Sequence, residues 1–331
     1  MLVKPVVLAL LLASGLISLT MLYAAWQGMV ILRHFDLSSG DPRQLTLERK
    51  TYLISTILSY VMGFELLSLF LFIYAGEDLH HLFVGAMCAV GTLSVNSYGY
   101  TALMLKIAAS LGCGVWLIVN HLDNQGYDYP LIRPKYAMLL PLTGLVLFES
   151  YVQFGFFAHM APNLITSCCG AVFSDEATTL TASLAHLPPA LIRIVFWAGL
   201  LILARSGIHF LLTGQGARPF AWLAGSMFVI GILSVLSFIS VYWYELPTHH
   251  CPFCLLKPEY YWIGYPLYAA LLLLGVCGPG VGVVDRAAGI PSLAVALPRL
   301  QRRLCQAALV GAGVVAAIAL WPLLFSDFIL G

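Results

Sequence analysis

The sequence contains very little charge. Only 9% of its 331 residues are charged, whereas 60% are hydrophobic, and an average soluble domain is about one quarter charged. A soluble fold is therefore excluded, because its surface would need far more polar side chains than this chain supplies. The formal net charge is +1, and no basic arm or stripe is present. No nucleic-acid partner is expected.

Several nucleotide-binding and metalloprotease sequence motifs are also missing. The sequence has no Walker-type phosphate loop, no dinucleotide-binding glycine fingerprint and no His-Glu-x-x-His motif, which argues against ATP-driven, nicotinamide-dependent and zincin-type activity. Covalent haem attachment needs Cys-x-x-Cys-His. Here Cys254, which ends a Cys-x-x-Cys, is followed by Leu255 and not by histidine. Covalent haem attachment is therefore not expected.

Long apolar runs take the place of these motifs. A membrane-spanning helix needs about 20 consecutive apolar residues, because backbone groups cannot be hydrated in the bilayer. The sequence therefore predicts an all-α polytopic membrane protein, with residues 1–331 forming a single transmembrane domain and no separate soluble domain. The eight predicted spans are residues 5–31, 51–74, 99–120, 136–158, 189–212, 219–243, 259–279 and 305–325.

Basic residues are concentrated in alternate loops. Twelve of the sixteen Lys and Arg residues occupy the loops after spans one, three, five and seven or the adjoining part of a span: Arg33, Arg43, Arg49, Lys50, Arg133, Lys135, Arg205, Arg218, Arg286, Arg299, Arg302 and Arg303. Cytoplasmic loops carry an excess of Lys and Arg. The pattern predicts that these loops are cytoplasmic, that both termini are non-cytoplasmic, and that the protein lies in a bacterial inner membrane.

A further apolar stretch runs from Leu82 to Val95. Its length of about 14 residues is too short to span a bilayer. Counting it as a span would also place the downstream basic loops on the non-cytoplasmic side, against the preference of Lys and Arg for the cytoplasm. We expect a short re-entrant or interfacial helix near residues 82–95.

Four of the eight cysteines fall in two loops predicted to be non-cytoplasmic. Cys168 and Cys169 are adjacent in the loop after the fourth span, and Cys251 and Cys254 form a Cys-x-x-Cys after the sixth. Pro258 is expected to open the seventh span just downstream, because proline is favoured in the first helical turn. The other four cysteines are interpreted as small buried hydrophobic residues: Cys88, Cys113, Cys277 and Cys305.

Three interpretations of the loop cysteines remain open. In the preferred one, Cys251 and Cys254 exchange with a periplasmic or lumenal thiol protein while Cys168 and Cys169 pass electrons onward, so the protein is a membrane thiol-disulfide oxidoreductase. In the second, the protein is a transporter or metal-handling protein that captures a soft cation. In the third, it is a structural subunit of a larger membrane complex with inert disulfides. The metal ligands of the second interpretation are Cys168, Cys169, His249, His250, Cys251 and Cys254.

The arrangement of these two cysteine pairs resembles that of DsbB and the vitamin K epoxide reductases. Those families carry a Cys-x-x-Cys and a second cysteine pair at the outer face of a four-helix core, and they move electrons between protein thiols and a quinone. The resemblance implies a quinone as a candidate cofactor. This chain is about twice their size, and its Cys168 and Cys169 are adjacent, unlike the loop cysteines of those families.

Three ionisable residues occur inside predicted spans. Glu65, Lys106 and Glu149 lie in spans two, three and four, and counting from the span ends places them at a similar depth. Gln153 follows Glu149 on the same helix face. Charged side chains within a membrane mark either a functional site or a structural pair. We expect a site for protons, a quinone or a solute.

Overall fold

The structure is a computed structural model. It describes residues 2–34, 42–160, 188–326 and 328, with the side chains of residues 42–46 excluded. Within these residues the chain is helical and contains no strand.

Eight helices in the described ranges are long and apolar enough to cross a membrane. They are α1 (Pro5–His34), α2 (Pro42–Asp78), α3 (Tyr98–Asp123), α4 (Ile132–Ala158), α5 (Pro189–Thr213), α6 (Ala217–Tyr244), α7 (Gly264–Val284) and α8 (Ala296–Phe325). The predicted all-α polytopic membrane fold with eight spans is confirmed.

The stretch predicted to be re-entrant or interfacial does not form a spanning helix. A 3-10 turn, His80–Leu82, leads into it, and it contains a five-residue helix, Ala89–Leu93. Gly85 separates them with a φ of 89°, a backbone conformation that glycine adopts at no steric cost. The segment therefore bends between the two helical pieces and places Cys88 immediately before the second one.

The chain forms two compact units. In the first unit α1 packs against α2 and α4, and α3 packs against the same two helices. Its core is apolar and includes Met62, Trp116 and Leu139, which are fully buried. Residues 286–300 also belong to this unit.

Among the described residues, the second unit comprises residues 79–92, residues 188–285 with helices α5 to α7, and the part of α8 from Gln301 onward. Within it, α6 packs against both α5 and α7. A Cβ placed on Gly278 of α7 would lie 2.2 Å from Cβ of Ala224 on α6. The two helices approach this closely because position 278 has no side chain, as is common where membrane helices cross.

Helix α7 begins later than the sequence predicts. Pro258 opens a 3-10 turn, Pro258–Tyr260, and the helix itself starts at Gly264. Tyr261 and Trp262 between them have φ values of 55° and 51°, in the left-handed region that interrupts a right-handed helix. The sequence predicts Pro258 in the first turn of the seventh span. It lies instead in a separate turn upstream of the helix.

Candidate functional sites

Three cysteines converge in the second unit. Cys88 lies between α2 and α3, and Cys251 and Cys254 lie between α6 and α7. The three Sγ atoms are all within 4.8 Å of one another, and those of Cys88 and Cys251 are 3.5 Å apart. We call these three residues the thiol cluster.

A tight turn follows the Cys-x-x-Cys directly. The backbone N–H of Leu256 donates to the carbonyl of Phe253 at 3.0 Å, and that of Lys257 donates to the carbonyl of Cys254 at 3.1 Å. These bonds form a 3-10 turn at Cys254–Leu256. The turn therefore fixes the backbone at Cys254 and on the downstream side of the motif.

Side chains from neighbouring elements fix this loop. The hydroxyl of Tyr244, at the end of α6, donates to the carbonyl of Cys251 at 2.5 Å, and that of Tyr268, on α7, donates to the carbonyl of Pro252 at 2.5 Å. Lys257 Nζ donates to the carbonyl of Met87 at 2.6 Å. This last bond ties the Cys-x-x-Cys loop to the residue preceding Cys88.

The three thiols differ in exposure. Cys88 and Cys251 are 0% exposed, whereas Cys254 is partly exposed. Nearby, burial and the proximity of Cys254 raise the pKa of the Tyr260 phenol. Of the three residues, Cys254 has the most exposed surface.

The sulfur spacing suits a shared metal ion. Tetrahedral metal–sulfur bonds of about 2.3 Å place two sulfurs about 3.8 Å apart. The 3.5 Å between Cys88 and Cys251 is close to that value, and it is far longer than a disulfide bond of about 2.05 Å. Small rotations of the Cys88 and Cys251 side chains would convert this arrangement into a metal site or a disulfide.

The structure therefore places two of the predicted loop cysteines, Cys251 and Cys254, beside a third cysteine, Cys88. The sequence interpretation treated Cys88 as a small buried hydrophobic residue; it is buried, but it lies beside Cys251. One signal could have drawn attention to it: Cys88 and the Cys-x-x-Cys both follow even-numbered spans, so their segments are on the same side of the bilayer. Cys168 and Cys169 lie outside the described residues.

The two histidines proposed as metal ligands make other contacts. His250 Nδ1 is 2.9 Å from the carbonyl oxygen of Leu236, and the His249 ring packs edge-on against Tyr244 with centroids 4.6 Å apart. Neither belongs to the thiol cluster. The remaining described cysteines, Cys113, Cys277 and Cys305, also lie outside it.

A second candidate site occupies the first unit. Lys106 Nζ on α3 is 2.9 Å from Glu149 Oε1 on α4 and 3.8 Å from Glu65 Oε1 on α2. It also donates to Ser68 Oγ at 3.0 Å. Glu65 is 1% exposed and the other two charged residues are 0% exposed. We call Glu65, Lys106 and Glu149 the charge cluster; the structure brings together the three ionisable residues that the sequence placed at a similar depth.

Hydroxyl and amide groups surround the charge cluster on the side of α1. Gln153 Nε2 donates to Ser14 Oγ at 2.6 Å, and Ser18 Oγ donates to Ser150 Oγ at 3.0 Å. Ser150 Oγ lies 3.5 Å from Glu149 Oε2. Side chains from α1, α2, α3 and α4 thus meet in one buried polar region.

A buried ion pair in the same unit was not recognised in the sequence. Lys135, counted there with the basic loop residues, lies within α4, is 0% exposed, and donates to Asp123 Oδ2 at 2.5 Å. Asp123 Oδ1 also accepts from the backbone N–H of Leu131 at 2.8 Å. This pair fastens the turn between α3 and α4.

Eight apolar helices define an α-helical integral membrane protein, and the described residues add a thiol cluster and a buried charge cluster. No protein-family model, curated protein or solved structure matches the chain.

Proposed function

We propose that this membrane protein binds a soft metal ion through Cys88, Cys251 and Cys254. One observation carries the proposal: three sulfur atoms from two separate segments lie within 4.8 Å of one another. A disulfide uses two sulfurs and leaves the third without a role, whereas a single ion can use all three.

The donor set favours a soft ion. Thiolates select Cu(I), Zn(II) and iron–sulfur clusters over harder cations. Structural zinc sites have four protein ligands, and catalytic zinc sites have three and an open position, so three thiolates suit Cu(I) and also admit Zn(II). We take Cu(I) as the first candidate, with the protein acting as a metal-handling membrane protein.

The expected topology places the site on the non-cytoplasmic face. Both segments of the thiol cluster follow even-numbered spans, and the basic residues of the alternate loops favour the cytoplasm. In a bacterial inner membrane the site would then face the periplasm. Cys168 and Cys169 follow the fourth span and are expected on the same face, where they would receive the ion or pass it on.

Metal content tests this proposal directly. Purified protein in detergent, kept reduced, would be loaded with Cu(I) or with Zn(II) and desalted, and bound metal would be measured by mass spectrometry. We expect one tightly held Cu(I) per chain, with three sulfur neighbours in its X-ray absorption spectrum. Cys88→Ser, Cys251→Ser and Cys254→Ser should each weaken binding strongly.

Matched controls are available within the same unit. Cys277→Ser and Cys305→Ser change a half-buried cysteine of α7 and a buried cysteine of α8 that lie outside the thiol cluster, so they should retain the ion. Equal metal content in all five variants would refute the assignment, as would loss of metal in the controls alone.

Thiol-disulfide exchange is the second candidate function, and the exposure of Cys254 favours it. A partner thiolate would attack the Cys251–Cys254 disulfide at Cys254 and release Cys251 as a thiolate; the second partner thiol would then displace Cys254. The partner leaves with a disulfide and the protein holds a dithiol. A quinone that accepts the two electrons and two protons would restore the disulfide.

Alkylation in intact cells separates the two functions. A membrane-impermeant reagent is added with or without prior reduction, and also after treatment with a Cu(I) chelator. Exchange predicts that reduction exposes Cys254 to the reagent and that the chelator has no effect. Metal binding predicts the opposite, with labelling of Cys254 released by the chelator.

A further inference from the structure

The charge cluster contains more negative than positive groups. Lys106 supplies one positive charge, while Glu65 and Glu149 supply two carboxyl groups, and none of the three is more than 1% exposed. Full ionisation would leave one uncompensated negative charge buried in a membrane helix bundle. Such a charge costs several kcal/mol unless it is paired.

The distances show which carboxylate Lys106 compensates. Its ammonium nitrogen lies 2.9 Å from Glu149 but 3.8 Å from Glu65. The first distance is that of a close ion pair, and the second is near the upper limit of one. Lys106 and Glu149 form the pair, and Glu65 is the carboxyl left without full compensation.

The hydrogen bonding of the two carboxyls supports the same assignment. Both oxygens of Glu65 are buried without a hydrogen-bond partner, whereas Glu149 has one such oxygen, Oε1, which lies 2.9 Å from Lys106 Nζ, and accepts from Ser150 at Oε2. Ser68 donates to the backbone carbonyl of Glu65 and accepts from Lys106. A buried ionised carboxylate needs several donors, and the Ser68 hydroxyl, already shared with the backbone carbonyl, is the donor described at Glu65.

Among the described residues, the other elements packed against α2 offer no further positive charge to Glu65. From α3 the facing titratable groups are Lys106 and Cys113, and from α4 the facing group is Glu149. Helix α1 contributes the hydroxyls of Ser14 and Ser18 to this region. One additional unit of positive charge is therefore required at Glu65.

We propose that Glu65 is a proton-binding residue within the membrane, and that it exchanges its proton while the Lys106–Glu149 pair stays in place. A proton fits this closed site because it needs no cavity. Lys106 lies within 4.0 Å of both carboxyl groups, so it can move toward Glu65 when the proton leaves. This role is independent of the thiol cluster.

Infrared difference spectroscopy tests the proposal. Full-length protein in lipid nanodiscs would be titrated with acid and base, in H2O and in D2O. We expect the carbonyl band of a protonated buried carboxyl that shifts in D2O and disappears at high pH. Glu65→Gln should abolish this band, and it should fold normally because it imitates the neutral side chain. Glu259→Gln, at an exposed loop position, should leave the band unchanged.

Two outcomes would overturn the proposal. If no carboxyl band titrates in the wild-type protein, Glu65 does not exchange a proton. If the band persists in Glu65→Gln and is lost in Glu149→Gln, the proton belongs to Glu149. A thermal-unfolding titration keeps the test valid for weakly expressed variants, since Glu65→Gln should reduce the pH dependence of the unfolding temperature and Glu259→Gln should not.

Discussion

Cys254 is the member of the thiol cluster that solvent reaches. Cys88 and Cys251 have no exposed surface, and thiol reactivity depends on access as well as on thiolate character. With a maleimide added to reduced, metal-free protein, we expect Cys254 to be labelled first and the other two only after partial unfolding. Peptide mass spectrometry over a time course measures the order. Prior labelling of Cys88 would contradict the burial described above.

Lys106 compensates the buried Glu149 carboxylate, so its removal should be severe. Lys106→Met leaves that carboxylate buried without its cation, and breaking a buried pair in this way costs about 3–5 kcal/mol. Thermal unfolding in detergent should show a large drop in the unfolding temperature. The double variant Lys106→Met/Glu149→Gln should recover part of it, because it removes the stranded charge. Lys4→Met, at an exposed position of the chain, serves as the control, and an equal loss in that variant would show that the pair is not the cause.

Helix α6 meets α7 where a glycine faces an alanine. Gly278→Ala would place its Cβ 2.2 Å from Cβ of Ala224, so the helices must separate, and overpacking of this kind costs about 1–3 kcal/mol. We expect a lower unfolding temperature for this variant and partial recovery in Gly278→Ala/Ala224→Gly. Gly313→Ala on α8 meets no atom within 4 Å and should change stability by less than about 0.5 kcal/mol.

At the scale of elements, the spans follow from local composition. A run of about 20 apolar residues is helical in a membrane whatever its neighbours are, which is why all eight helices could be predicted. The start of α7 could not. It depends on the left-handed backbone at Tyr261 and Trp262, and no glycine or asparagine there signals such a conformation.

The two candidate sites differ in how many of their residues and contacts could be predicted from the sequence. The spacing of Cys251 and Cys254 is a local feature and is visible in the sequence. Cys88 is 163 residues away from Cys251, and only the tertiary packing of the second unit brings them together. Depth counting placed the charge cluster at one level, but it could not show that Lys106 lies closer to Glu149 than to Glu65.

For the whole molecule, the distribution of Lys and Arg leads to a prediction about sidedness. Eight spans place both termini on one side, and the basic alternate loops favour the cytoplasm for the opposite side. Reporter fusions at each terminus should be active in a periplasmic assay and inactive in a cytoplasmic one. A fusion in the loop near Arg218, between α5 and α6, should give the reverse result. Cytoplasmic termini would place the thiol cluster in a reducing compartment.

Tyrosine hydroxyls donate hydrogen bonds to the carbonyls of Cys251 and Pro252. These bonds have a consequence for how the protein would bind and release an ion. In zinc fingers the ligands assemble only with the metal, and chelation unfolds the domain. Here the loop is held by α6 and α7 through protein hydrogen bonds, so its shape does not depend on an ion. If the thiol cluster binds the ion proposed above, loading and release would be separate from folding, and the ion would be transferred without unfolding the protein.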